Sequence, residues 1–377
     1  MPSARHADAD LPLLTERRLN RATLARQQLL KRTRRSVEDA IDRLAGLQAQ
    51  WPASPYVALW TRLAPFARAD LTKALEERRA VKATLMRSTL HLVSAREYPL
   101  YFVASAACRG SAWIRPEWER GLDLERIEAE LAAYTREPRT LQELLAFVGR
   151  WVEDLDRRPY VLRRATVARR PVIHVPPSGT WGATRARYRS ADAWLGPLAL
   201  PEAAAATIHV VRRYLAAFGP ASLSDVAAWS GAPLLGPIRA AVEALGAEVR
   251  AFRTADGRRL YDLSRAPRPS EDTAAPVRLL PKWDSLLLAH EPARRTRVLP
   301  EVHRKTVIRK NGDVMQTFLV DGVVAGTWEA TTKKGEATVT LAPFGRLART
   351  ERAALLEEAE RLARFIAPEA RAHGARL

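Results

Sequence analysis

The chain carries a single cysteine, Cys108, in 377 residues. One thiol cannot form an intrachain disulfide, a cysteine-based zinc site or a cysteine-ligated iron–sulfur cluster, and such scarcity points to a reducing compartment. Long apolar runs are missing as well. The most apolar stretch, "PLYFVASAAC", falls far short of the roughly 20 residues a membrane-spanning helix needs, and "MPSARHADAD" lacks the apolar centre of a signal peptide. An intracellular, cytoplasmic protein without membrane contact is the expectation. Also absent are a phosphate-binding Walker loop, a dinucleotide glycine fingerprint, a His-Glu-x-x-His pair and a nucleophile elbow, which removes the commonest enzyme classes. The seven histidines are scattered, so no metal site and no cofactor is expected. Acidic residues are the minority, 42 Asp plus Glu against 61 Lys plus Arg, for a formal charge of +19. Such an excess, dominated by arginine, favours a polyanionic partner, nucleic acid first among them, although a membrane surface, solubility or arginine-rich codon usage would also account for it.

What is present suffices for buried cores, because 47% of the residues are hydrophobic. Helical patterns "RATLARQQLLKR" and "SVEDAIDRLAGL", the second capped by Ser36, lead to a further helix "ADLTKALEERRA" and an alternating strand "TLMRSTLHLVS". These read as a first winged-helix unit over 1–135. A second, over 136–198, opens with Thr140 and Glu143 at capping-box spacing and ends in a basic hairpin where Arg185, Arg187 and Arg189 alternate. Those arginines suit phosphate contacts and a solvated sheet edge equally well. The third, over 199–270, has helix, Gly-Pro turn, a helix capped by Ser222 or Ser224, a Ser-Gly-Ala-Pro turn, another helix and an Asp256-Gly257 hairpin. From 271 to 377 short alternating runs with turns at Asn311-Gly312 and Asp321-Gly322 suggest a small antiparallel β-barrel, closed by the helix "ARTERAALLEEAERLARFI". The fold class expected is therefore α+β: three tandem winged-helix units forming a degenerate repeat, then a β-barrel and a terminal helix.

Residues 46–52, "GLQAQWP", place Gln48 and Gln50 two apart before a Trp-Pro pair. Pro52 biases Trp51 away from helix, so the preceding helix is expected to end near Leu47, leaving both amides on one face of an extended segment. Alone, the stretch favours the reading of a helix end with two solvated amides.

Taken in order, "GLQAQ", "SPYVALWTRL", "LMRSTLHLVSAREY", "VPPSGTWG", "FGPASLSDVAAWSG", "LPKWDSLLLAH" and "VIRKNGDVMQTFLVDGVVAGTWE" resemble the AlkZ and AlkZ-like branch of the winged-helix DNA glycosylases, related to the YcaQ type. The resemblance spans nearly the whole chain. Its most specific element is Gln-x-Gln, where the YcaQ type carries Gln-x-Asp, and it implies that Gln48 and Gln50 are the catalytic pair. It further implies a monofunctional enzyme acting on double-stranded DNA that contains alkylated bases, near the nucleoid, in repair or self-resistance; no leucine zipper or amphipathic dimer helix stands out, so a monomer is expected. Glycosidic hydrolysis ordinarily uses carboxylates, and glutamine is no general base. A purine alkylated on a ring nitrogen, however, is cationic and leaves without an acid. Two amides then suffice to place water and to face the developing oxocarbenium charge. Bulky adducts and interstrand crosslinks are included in this reading. The family's use of a C-terminal hairpin near the minor groove points to the run "EPARRTRVLPEVHRKTVIRKNGD", with Arg294, Arg295, Arg297, His303, Arg304, Lys305, Arg309 and Lys310 as DNA contacts. The competing reading is a non-catalytic winged-helix DNA-binding protein such as a transcriptional regulator; a third is an interaction protein whose winged helices only pack together.

Overall fold

The computed structural model describes residues 10–109, 114–167 and 171–377; the polar stretch 1–9 lies outside them. Helix α1 (Glu16–Arg26) starts where Thr15 accepts from the Arg18 N–H, and α2 (Val37–Arg43) where Ser36 accepts from the Asp39 N–H. Beyond α2 the backbone turns left-handed at Ala45 and Gly46, with φ of 56° and 82°, and enters strand β1 (Leu47–Gln48). The helix thus stops earlier than the sequence suggested. Next come α3 (Ser54–Trp60), α4 (Arg68–Glu76), β2 (Ala80–Thr84), β3 (Leu90–Ser94) and α5 (Tyr98–Arg109). Beyond a single helical turn at Pro116–Glu119 come α6 (Leu124–Tyr134), α7 (Leu141–Val148) and α8 (Arg158–Val167), with the expected Thr140–Glu143 capping box at the start of α7. The short strands β4 (Val172–His174) and β5 (Tyr188–Ser190) pair across a long loop.

One five-stranded sheet, in the order β1-β3-β2-β4-β5, joins strands from the first two expected units. The third unit has its elements as read: α9 (Ala203–Phe218), α10 (Leu223–Ser230) capped by Ser222, α11 (Gly236–Ala244), and the hairpin β6 (Val249–Arg253) with β7 (Arg259–Leu263). Its core, around Tyr214, Phe218 and Trp229, is continuous with that of the first sheet.

The last unit corrects the expectation of a closed barrel. Strands β8 (Arg278–Leu280), β9 (Thr317–Val320), β10 (Val323–Lys333), β11 (Glu336–Pro343) and β12 (Ala372–Arg376) form an open sheet in the order β12-β11-β10-β9-β8. The sheet stays open because β12 joins β11 in parallel at one edge, while three-residue β8 ends the other. Helix α12 (Arg349–Ile366) covers one face with Leu355, Ala359 and Leu362. The β9–β10 turn at Asp321-Gly322 is left-handed at both residues, as a tight hairpin requires.

Buried ion pairs tie the beginning of the chain to its later parts. Arg26 meets Asp262 at 2.6 Å and Arg62 meets Asp284 at 2.8 Å, all four side chains essentially inaccessible. Arg21 and Arg32 reach Asp321 and Glu358. The described residues include no helix long and apolar enough to cross a membrane.

Candidate active site

The two glutamines stand at the end of the first sheet but not in one setting. Gln48 pairs with His91 across β1 and β3 and is 6% exposed. Its Oε1 accepts from Arg87 Nη2 at 3.1 Å, and the other Arg87 nitrogen, Nη1, donates to the Trp229 carbonyl at the end of α10. Arg87 lies in a turn where it and Ser88 are left-handed, with φ of 51° and 57°. Gly231, just past α10, sits so close that a Cβ there would stand 2.9 Å from Arg87 Cα. Burial, with Arg295 nearby, lowers the Arg87 pKa to about 10. The third unit is thereby clamped to Gln48 through one guanidinium.

Gln50 has left the strand for a bend and is exposed. Its Oε1 accepts from the Leu90 N–H at 2.8 Å. Arginine and backbone N–H only donate, so both amide oxygens are fixed in direction by their partners. Neither Nε2 has a hydrogen bond to protein among the described residues.

Gln50 lines a cleft of about 580 Å³ together with Trp51, Leu90, Lys82, His174, Trp181, Arg185 and Tyr188. Cross-strand register puts Lys82, His174 and Tyr188 in one row and hence on one face, while Gln48, His91 and Ala83 occupy the adjacent row and the other face. Gln48 does not line the cleft. The shared face expected from i and i+2 spacing is therefore not formed, because β1 ends at Gln48 and the alternation stops before Gln50. No aspartate or glutamate lines the cleft. Both histidines of the sheet are neutral: burial drives His91 and His174 down to about 3, helped by Arg87 and Lys82 respectively. His91 Nδ1 faces the Thr89 carbonyl at 3.0 Å, and His174 Nδ1 faces Ser178 Oγ at 2.9 Å. Among the described residues no cluster could hold a metal ion.

The basic residues separate into free and engaged ones. Arg297 is 4% exposed and donates to the Pro220 carbonyl, so it is a core residue and not a phosphate contact, a correction forced by its burial between the third unit and the last. Arg294 pairs with Asp256 at 3.0 Å, Arg295 donates to the His290 carbonyl, Arg304 pairs with Glu301 at 2.7 Å and His303 stacks on Phe344. Lys305, Arg309 and Lys310 are exposed, without an ion pair among the described residues. This run forms 3-10 turns and a short helix, with a hairpin only where Ile308 bridges Val314. Arg185 and Arg187 lie in the β4–β5 loop: Arg185 is exposed at the cleft, and Arg187 stands 3.9 Å from Glu143. The alternating strand of three arginines is not formed, and only Arg189 is in β5.

Sequence reading missed Lys82, Arg87, Trp51 and Trp181. Trp51, 55% exposed beside Gln50, was the one with a visible signal, a large aromatic within the glutamine motif.

A family model described as DNA glycosylase AlkZ-like matches residues 41–365. The chain is 27% identical over 364 residues to the interstrand DNA cross-link repair glycosylase of Streptomyces sahachiroi, covering 90% of this chain and 94% of that protein. The solved structure of Streptomyces sahachiroi DNA glycosylase AlkZ is similar in fold, with a TM-score of 0.78 at 23% identity, covering 97% of this chain and all of that one.

Proposed function

The chain belongs to the AlkZ-like DNA glycosylases, and from that membership we propose that it hydrolyses the N-glycosidic bond of cationic alkylated purines in double-stranded DNA. The single observation that carries this reading is a cleft holding Gln50 with no carboxylate in its lining. Without an acid to protonate the leaving base, the base must arrive already charged. Gln50 keeps one free lone pair on its oxygen and an unengaged Nε2, which together can hold a water beside the anomeric carbon. Its carbonyl dipole also faces the charge that develops on the sugar. Gln48, which does not line this cleft, is the second amide of the motif and acts as a positioning residue, its oxygen held by Arg87 at the end of β1 that leads into Gln50.

Phosphate contacts fall to the free cations Arg185, Lys305, Arg309 and Lys310, with Arg187, Arg294, Arg295, Arg304 and His303 at their margin. We place the division into four segments at 135, 198 and 270, and a monomeric state, in the same proposal. The relative named for interstrand cross-link repair supports including bulky adducts and crosslinks among the substrates. The test is release of N7-alkylguanine from duplex DNA by wild type, Gln48→Ala and Gln50→Ala. Release lost in Gln50→Ala is expected. Excision of uracil that Gln50→Ala leaves intact, or no release from several cationic adducts, would overturn the proposal.

A further inference from the structure

Lys82 stands in the middle of β2, 5% exposed, and still lines the cleft beside Gln50. No acceptor meets its Nζ among the described residues. The β4–β5 loop lies over its stem, with Gly179 left-handed and so near that a Cβ would stand 3.1 Å from Lys82 Cδ. A lone buried cation is costly unless something pairs with it. The lining offers no carboxylate, and the neighbouring His174 is neutral. The counter-charge must therefore come with the ligand. In the reaction proposed above the base is itself positive, so the base cannot supply it.

We propose that the cleft receives the target nucleotide as a zwitterion, its backbone phosphate paired with Lys82 and its cationic base against the face of Trp51. This rests on the glycosylase reading of the Gln50 cleft. Trp51 is exposed and lines the same cavity, and aromatic faces attract cations. A neutral base lacks that attraction, so the pairing selects for charge on the base and not only for its shape. Burial lowers the Lys82 pKa to about 8. A phosphate partner raises it in the complex, so affinity is full below about pH 8 and declines as pH rises through that value. Two other titratable groups of the lining do not change charge there, since His174 is neutral above about 3 and burial pushes Tyr188 up; Arg185 is the other basic side chain of the lining.

The test uses the full chain and a duplex carrying 2′-fluoro-N7-methyldeoxyguanosine, which resists cleavage, with binding followed by fluorescence anisotropy over a range of salt. Lys82→Met is expected to bind this duplex about tenfold more weakly, with the salt slope reduced by about one. Lys82→Arg should bind nearly as wild type and lose the decline above pH 8. Undamaged duplex should show no difference, because only a displaced nucleotide reaches the cavity floor. The melting temperature of Lys82→Met should be unchanged or higher, since an unpaired buried charge has been removed. Unchanged affinity, equal loss on undamaged DNA, or a lower melting temperature would each overturn the assignment. Binding is read on uncleavable DNA, so absence of base release would count against the glycosylase reading alone.

Discussion

Two five-stranded sheets differ in how much polar side chain they bury beside their apolar residues. The first has strands of no more than five residues and buries Gln48, Lys82, His91 and His174 among its apolar neighbours. The second has strands of 11 and 8 residues, and it buries Phe318, Val324, Trp328, Val339 and Leu341 against α12 and the neighbouring core, with Arg278 and Thr317 as its buried polar side chains. Polar burial is expensive unless partnered: Gln48, His91 and His174 have partners within the protein, and Lys82 has none among the described residues, whereas apolar burial is favourable in itself. On the proposed reading the first sheet is the working one and the second supports it.

The largest expected effect tests the supporting sheet. Phe318 packs so closely on Gly326 that a Cβ there would come within 2.3 Å of its ring. Phe318→Ala should cost about 3–5 kcal/mol in urea denaturation and leave the turnover of the folded fraction intact; a comparable fall in turnover would erase the distinction between the sheets. On the working sheet, Gln50→Ala should reduce base release about 10²- to 10³-fold at an unchanged melting temperature. Arg87→Ala comes next. It strips the donor from both Gln48 Oε1 and the Trp229 carbonyl, for an expected stability loss of about 1–3 kcal/mol and a rate reduction smaller than that of Gln50→Ala. If Arg87→Ala altered stability alone, Gln48 would be a packing residue. The smallest effect lies outside both sheets: Arg309→Gln with Lys310→Gln should lower the salt slope of DNA binding by about two, one per phosphate contact, with base release at saturation unchanged.

Local signals were legible because they are short-range. Ser36, Thr140 and Ser222 cap the helices they precede, and Asp321-Gly322 makes its hairpin, since each device acts within a few residues. Long-range consequences were not. Nothing adjacent to Arg297 marks it as core, whereas Lys305, of equal charge, is exposed; the difference lies in Pro220, 77 residues away. The barrel failed as an expectation because closure depends on which edge β12 takes, and alternation is blind to that. That the glutamines lie beyond the helix was legible from Pro52, yet their faces hinge on β1 ending after two residues, which a period of two cannot reveal. Lys82 was invisible for a similar reason: its strand is buried on both sides, so a lysine between Val81 and Ala83 breaks no pattern that a half-exposed strand would display.

The buried arginines at the front of the chain also bear on how it folds. Arg26 waits for Asp262 and Arg62 for Asp284, sequence separations of 236 and 222 residues. Helix α1, which holds Arg26, and the turn after α3, which holds Arg62, precede their partners in the chain and cannot surrender their water until the distant carboxylates arrive. Loop closure over such spans slows assembly, and it also makes disassembly collective: helix α1 cannot peel away without baring Asp262. Segments that precede their partners by more than 200 residues thus settle late, and a protease should find few partly opened forms to cut.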